Sequence, residues 1–399
     1  MKVTRRGLLK GIALTSSWLA LRALNWTAPD AAGQEPQPTP RIFLPIIQRQ
    51  SSPYWPASSR VVHVYAPAAT HWDFGNSWYG NDVRQDVVNA MVEEGLTRLT
   101  GTASAAAAWG ILLPRYQSGQ KIAIKINLNN SSCSDSDNII DALMEPVNAV
   151  IGSLVSAGIG VQASDVWVYD AIRSMPARIY SRRQYTQAHY AASACGDHTA
   201  TFNHIDPSLR VTFTNPAMQT GRWLTELLYE ATYLINMPII KRHSTAPVTL
   251  GFKHHFGSLS DLGGNGDDNP HVHINPSNIH YHSNYSPLVD IYSNANIAGK
   301  TVLTLGDGLF GAPMVGAKPA PWTNTFGEGE ALNSLFFSRD PVAIDSVMIG
   351  WLNAEWGVVD AAYDYLLLAE QAGLGMAEKA DPRVSGSYKR IDYVRVDLL

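Results

Sequence analysis

Segments with the periodicity of a β-strand alternate with helical segments throughout residues 58–399, and this alternation constrains the fold more than any other feature. Strand-like stretches lie at 60–65, 121–128, 166–170, 234–237, 301–305, 335–338 and 391–396. Helical patterns lie at 82–96, 139–157, 224–232, 341–351 and 361–372. Because parallel strands are joined by helical crossovers, the order predicts an α/β fold, a mainly parallel sheet with helices on both faces.

Polar side chains follow several of the predicted strands at the point where the strand ends. These residues are Asn127, Asp170, Asp307 and Asp340. In parallel sheets, binding sites form at the carboxyl ends of the strands, so we expect these side chains to share one edge. Asp307 lies between two glycines and is the best single candidate for an acid, a base or a metal ligand.

Two carboxylates flank the start of the predicted helix at 341–351. Asp340 precedes Pro341, which is the pattern of an N-cap followed by proline at the first helical position. That structural role accounts for Asp340 without any function. Asp345 lies deeper in the helix among apolar residues, which favours a buried carboxylate facing the pocket.

The histidines are concentrated in one region: seven of the 12 lie between residues 243 and 282. A hairpin with a turn at 275–278 would pair His273 with His280 and His271 with His282, so that all four rings project from one face. Such a histidine-rich hairpin near the site suits a divalent transition metal, namely Zn, Fe, Ni or Cu. A surface loop or helix–loop insertion with alternating histidines is the alternative.

A second constellation precedes this one. A strand delivers Lys241 and His243 to a loop, and a short helix then presents Lys253 with His254 or His255. Lysines and histidines in one crevice suit a bound anion, a metal or proton transfer. Solvated lysines and a histidine that merely caps backbone groups are the alternative.

The run at 236–257, NMPIIKRHSTAPVTLGFKHHFG, resembles the core motif of the DUF362 family, which is named for its undetermined function. Supporting matches lie at 125–128, 304–308 and 338–345, and a family histidine matches His280 or His282. The resemblance spans about 60–356 and implies no reaction. It implies pocket roles for Lys125, Asn127, Lys241, His243, Lys253, Asp307, Asp340 and Asp345.

Many relatives in that family also carry ferredoxin-like cysteine clusters, and this chain departs from them. It has only Cys133 and Cys195, so no iron–sulfur cluster is expected. The two cysteines either form a disulfide or remain separate thiols, since spacing alone does not settle how close they lie.

The first 57 residues predict export. Arg5 and Arg6 precede an uncharged run at 11–21, the form of a Tat signal, which we assign to 1–32; a proline-rich linker follows at 33–57. The apolar run is well short of the roughly 20 residues of a spanning helix, so no stable transmembrane segment is expected. The Tat translocase is the expected export partner, and the location is periplasmic, cell-surface or extracellular.

The net charge is −4 with the charges interspersed, which gives no electrostatic footprint for nucleic acid. The leading hypothesis is an exported metal-dependent enzyme, a hydrolase or an oxidoreductase; the alternative is an extracytoplasmic metal- or anion-binding protein without catalysis. Catalytic roles are expected for Asp307, Lys241, Lys253 and Asp345. Cofactor or ligand binding is expected for Lys125, Asn127 and Asp170. The candidate metal ligands are His243, His254, His255, His271, His273, His280 and His282.

Overall fold

An 11-stranded mixed sheet forms the centre of the structure, a computed structural model that describes residues 59–129, 132–264 and 266–399. The strands are β1 Ser59–Tyr65, β2 Ile122–Ile126, β3 Val166–Ser174, β4 His189–Ala194, β5 His198–Thr199, β6 Arg210–Val211, β7 Arg222–Trp223, β8 Tyr233–Met237, β9 Ile239–Arg242, β10 Val248–Thr249, β11 Thr301–Ala312, β12 Ser334–Ser338 and β13 Ile391–Asp397. The helices are α1 Gln85–Thr100, α2 Ala105–Leu112, α3 Met144–Ser156, α4 Ala177–Tyr180, α5 Glu226–Glu230, α6 Pro287–Tyr292, α7 Pro341–Trp356 and α8 Asp364–Gln371. The predicted signal segment and the whole of the predicted linker lie outside the described residues.

The strand order is β13-β1-β12-β11-β8-β2-β3-β4-β5, with β9 and β10 attached beside β11. Neighbours from β11 through β8, β2, β3 and β4 to β5 are parallel, and β1 is parallel to β13. Strand β12 is antiparallel to both of its neighbours, and β10 is antiparallel to β9. The prediction of a mainly parallel α/β sheet is confirmed.

Side chains of the central strands alternate between two apolar layers. Ile122, Ile124 and Ile126 of β2 pack with α1, α2 and α3 on one face, whereas Ala123 points into the other layer. That second layer contains buried residues of α5, α6, α7 and α8. Because both faces are covered, the central strands read as nearly continuous apolar runs in the sequence.

Pro238 separates β8 from β9 and redirects the chain at the carboxyl edge of the sheet. Its carbonyl accepts a hydrogen bond from the Asp307 N–H at 2.8 Å. Beyond it, β9 extends along β11 instead of β2, with Ile239 opposite Asp307. Strand β10 then returns antiparallel to β9, so the two form a hairpin that joins the sheet through the pairing of β9 with β11.

Asp340 does not join the other strand-end residues, and that expectation was wrong. Because β12 runs antiparallel to β11, with Ser338 opposite Thr304, its end reaches the amino-terminal edge of the parallel strands. There the Asp340 carboxylate accepts hydrogen bonds from the N–H groups of Val342 at 3.0 Å and Ala343 at 2.9 Å. It is the N-cap of α7, the structural role that the Asp-Pro pair also predicted.

Cys133 and Cys195 form a disulfide, with Cα atoms 5.7 Å apart. The bond joins the loop after β2 to the tight turn between β4 and β5, two segments 62 residues apart in sequence. No helix in the described part of the chain combines the length and apolar character needed to cross a bilayer.

Two helical glycines give a matched test of the packing between α1 and the sheet. A Cβ placed on Gly95 would lie 2.2 Å from Cε2 of the buried Phe337 ring, whereas a Cβ on Gly110 would meet nothing within 4 Å. We therefore expect Gly95→Ala to lower the free energy of unfolding by about 1–3 kcal/mol through overpacking. Gly110→Ala should raise it by about 0.5–1 kcal/mol through helix propensity. Urea denaturation of both variants checks this, and equal stabilities would contradict the packing described.

Candidate functional site

One continuous segment, from β9 through Ser258, brings most of the predicted lysines and histidines to the carboxyl edge. Lys241 lies on β9 and His243 directly after it, while Lys253 begins a 3₁₀ helix, Lys253–Ser258, that carries His254 and His255. The ring of His243 closes the hairpin loop, because its Nδ1 accepts the N–H groups of Thr245 at 3.0 Å and Ala246 at 3.1 Å. The proton of the neutral ring therefore belongs on Nε2.

Asp345 fixes the turn that precedes Lys253. Its buried carboxylate accepts hydrogen bonds from the N–H groups of Gly251 at 2.9 Å and Phe252 at 3.2 Å, and from the Tyr365 hydroxyl at 2.9 Å. Burial raises the pKa of this carboxyl to about 7, and the three donors oppose the shift. The structure thus places Asp345 in a supporting role, because its carboxylate is bonded to two backbone N–H groups and the Tyr365 hydroxyl.

Five basic side chains converge above the ends of β3 and β9, and we call this cluster the basic pocket. Its members are Arg173, Lys241, His243, Lys253 and His271. Lys241 is buried and donates a hydrogen bond to Oδ1 of Asn129. Within the described residues, no carboxylate lies within salt-bridge distance of Arg173, Lys241 or Lys253.

Burial and mutual repulsion shift the pKa values throughout the basic pocket. Burial, together with the charges of Lys253 and Arg173, lowers the pKa of Lys241 to about 7, although Asp141 opposes the shift. Burial and Arg173 lower the pKa of Lys253 to about 8. Burial and Lys253 lower the pKa of His243 to about 2 and that of His271 to about 4. Near pH 7 both histidines are therefore neutral, and among the described residues Asp141 is the carboxylate that acts on Lys241 from a distance, without forming an ion pair with it.

Below this pocket, Lys125 and Asp170 form a fully buried ion pair with Nζ 3.1 Å from Oδ2. Gly257 lies directly over the pair, since a Cβ there would be 2.7 Å from Nζ and 2.8 Å from Oδ2. Asp170 also accepts the Leu128 N–H at 3.2 Å. Burial lowers the pKa of Lys125, and Asp170 opposes that shift. These two predicted ligand-binding residues are thus brought together, but beneath the surface and bonded to each other.

His254 and His255 pack beside this ion pair and are also fully buried. His255 Nδ1 lies 3.2 Å from the Ser258 hydroxyl, while both nitrogens of His254 have no partner within the described chain. Burial lowers the pKa of both rings, and the Lys125 charge adds to the effect. Asn127 lies close to the same edge, where its backbone oxygen accepts the Ala142 N–H.

Asp307 lies within β11 and not at its end, because the strand continues to Ala312. It lines a small recess of about 10 Å³, roughly the space for one water molecule, together with Tyr79, Ile140, Asp141, Leu143, Ile239 and Phe310. Burial raises its pKa to about 7, opposed by the hydrogen bond from the Leu309 N–H at 3.1 Å. Asp141 borders this recess and also acts on Lys241, so the recess adjoins the basic pocket.

The predicted histidine hairpin is wrong, and the segment is a loop with a 3₁₀ turn at Val272–Ile274. Asn275 and Asn278 accept the N–H groups of Ser277 at 3.1 Å and His280 at 3.0 Å, and these local bonds replace a strand ladder. The ring nitrogens of His273 instead face backbone carbonyls, those of His280 at 2.9 Å and Asp267 at 2.6 Å.

Of the four loop histidines, only His271 reaches the basic pocket, and His282 is exposed. Within the described residues, no three of the seven predicted ligands come together as a metal-binding group. Arg173 is the pocket residue that sequence reasoning missed. Its signal was the continuation of β3 beyond Asp170, which carries Arg173 to the same edge.

The shifted lysine pKa values predict how stability depends on pH. Lys241 and Lys253 have folded-state pKa values of about 7 and 8, below the ordinary 10.5, so the unfolded chain binds more protons between these limits. Their contribution to stability therefore rises as the pH increases from about 7 towards 10.5. We expect Lys253→Met to stabilise the empty protein at pH 7 and to reduce this rise, as measured by urea denaturation across pH 6–10. Lys389→Met is the control, at an exposed lysine that donates a hydrogen bond to the Gly386 carbonyl. It should change neither the stability at pH 7 nor the rise of stability with pH.

A crystal structure of a protein from Thermotoga maritima is similar over 72% of this chain and 59% of that chain, with 10% sequence identity and a TM-score of 0.33. This chain therefore spans less than two thirds of the length of the Thermotoga protein. No curated protein matches the sequence. Residues 122–350 match the model of DUF362, a domain of unknown function. This match covers more than half of the chain and runs from β2 through β9 into α7, and the protein therefore belongs to the DUF362 family.

Proposed function

We propose that the protein binds a small organic anion, a carboxylate or a phosphate ester, in the basic pocket. The observation that carries this proposal is the convergence of Arg173, Lys241 and Lys253, none of which forms an ion pair with a carboxylate of the described residues. Lys241 is buried, and Arg173 and Lys253 are half-buried. Because buried charges in folded proteins are normally paired, this set favours a ligand that supplies the opposite charge.

The members of the pocket suit different parts of such a ligand. Arg173 offers a planar guanidinium, which binds carboxylate or phosphate oxygens in pairs. Lys253 adds a second charge, and Nε2 of His243 is free to donate a hydrogen bond because Nδ1 is occupied by the hairpin loop. Together these donors would orient one anionic group above the ends of β3 and β9.

We further propose that Lys241 transfers a proton to or from the bound molecule. A general acid or base works best when its pKa is near the working pH, and burial brings the pKa of Lys241 to about 7. Its hydrogen bond to Asn129 holds the ammonium group in place. The protein is then an enzyme whose reaction involves proton transfer.

Export by the Tat pathway, with a periplasmic, surface or extracellular location, belongs to the same proposal. Its support is the twin-arginine sequence at Arg5 and Arg6, together with the Cys133–Cys195 disulfide, since such bonds persist in oxidising compartments. Metal-dependent catalysis by the histidine loop receives no such support, because His273 is bonded to backbone and His282 lies in solvent.

Ligand binding is testable with simple anions. We expect calorimetry to detect one site for inorganic phosphate or succinate in the wild-type protein. Lys253→Met should weaken that site by about tenfold or more, because a hydrogen bond to a charged group contributes about 1.5–3 kcal/mol. Lys389→Met should leave it unchanged. Binding that is absent, or equal in wild type and Lys253→Met, would contradict the proposal.

The same binding should weaken as the pH rises. Lys241 and Lys253 lose their charge above pKa values of about 7 and 8, so the free pocket attracts an anion less strongly at pH 9 than at pH 6. The affinity for succinate, whose own charge is constant over most of this range, is measured at intervals of one pH unit. In Lys241→Met, the fall in succinate affinity should be centred on the pKa of Lys253 alone, about 8. A flat profile in the wild type would show that the lysines do not bind the ligand.

A further inference from the structure

A second cluster of metal-binding side chains lies at the outer edge of the sheet, away from the basic pocket. Strand β4 begins at His189 and β5 at His198, and the short connection between them returns so that His198 pairs with Ala191 in parallel. Gly196 permits this return, because a Cβ there would lie 2.1 Å from the Tyr190 carbonyl oxygen. The disulfide at Cys195 anchors the same turn.

This turn brings three ligand atoms together. Nδ1 of His189 lies 2.9 Å from Nε2 of His198, and Oδ1 of Asp197 lies 3.9 Å from that same Nε2. All three atoms lie within 4.8 Å of one another, and no other such group of His, Cys, Asp or Glu occurs in the described ranges.

The surroundings hold these side chains in orientation. Trp167 stacks on His189 with ring centroids 4.1 Å apart, and its centroid lies 4.7 Å from that of His198. Asp197 is fixed by the Tyr190 N–H, which donates to Oδ1 at 2.6 Å.

We propose that His189, Asp197 and His198 bind a divalent transition-metal ion of the zinc type. Two imidazoles and one carboxylate are a ligand set that such ions accept. With ligand bonds of about 2.0–2.1 Å and tetrahedral geometry, the two ring nitrogens would stand about 3.3 Å apart. The two imidazole rings would therefore need to separate by only a few tenths of an ångström to admit the ion. The site lies at the protein surface and supplies three ligands, which leaves a coordination position for water or another molecule.

The test is zinc titration of the tag-free full-length protein by calorimetry. We expect one Zn²⁺ site, with an affinity that falls by at least about tenfold in His198→Ala, since even outer ligand contacts are worth 10–100-fold. Asp197→Asn should weaken it less, because the amide oxygen still accepts the Tyr190 N–H. Circular dichroism and thermal melting establish that each variant folds.

His204→Ala is the matched control. His204 is exposed and stacks on Trp223 with centroids 5.6 Å apart, as His189 stacks on Trp167, but it lacks a second histidine. This variant should bind zinc like the wild type. Anomalous scattering at the zinc edge should then place the ion between His189 and His198. Zinc affinity that is unchanged in His198→Ala, or an ion found elsewhere, would overturn the proposal and leave the two rings as a hydrogen-bonded surface pair.

Discussion

The hydrogen bonds that Asp345 accepts from the N–H groups of Gly251 and Phe252 fix the candidate site residues at the carboxyl edge of the sheet. They fix the turn between β10 and the 3₁₀ helix, and that turn decides where Lys253 stands relative to Lys241. The carboxylate belongs to α7, on the opposite layer from α1–α3, so the position of the basic pocket depends on how α7 packs against the sheet. Asp345 thereby sets the spacing between Lys241 and Lys253, although Asp345 itself would not contact the proposed ligand.

The basic pocket concentrates positive charge, and no carboxylate of the described residues forms an ion pair with Arg173, Lys241 or Lys253. Directly below it the opposite holds, because Lys125 and Asp170 neutralise each other under Gly257. A buried ion pair of this kind contributes little net stability, but removing either partner is strongly destabilising. The pair therefore forms a fixed base beneath the basic pocket. The contrast between a paired lysine below and unpaired lysines above is the physical basis for assigning the upper group to ligand binding.

Much of this arrangement follows from the sequence, and the parts that do not have identifiable causes. The apolar runs of β2 and β3 predict a sheet buried on both faces, and the order Lys241, His243, Lys253 predicts a shared crevice. Asp340 was misplaced because sequence order does not reveal that β12 runs antiparallel. The histidine hairpin failed because Asn275 and Asn278 bind local N–H groups, a competition that alternation alone does not express. The pair formed by His189 and His198 depends on a tight parallel return at Gly196, which has no sequence pattern of its own.

Under the proposed function, Lys241 and Lys253 are neighbouring charged groups that bind an anion, and their pKa values report on this binding most directly. NMR titration of the lysine side chains, assigned with Lys241→Met and Lys253→Met, should give pKa values near 7 and 8 in the free protein. Saturating succinate should raise both. Values near the ordinary 10.5 that do not respond to the anion would contradict the account, because the two ammonium groups would then already be solvated or paired.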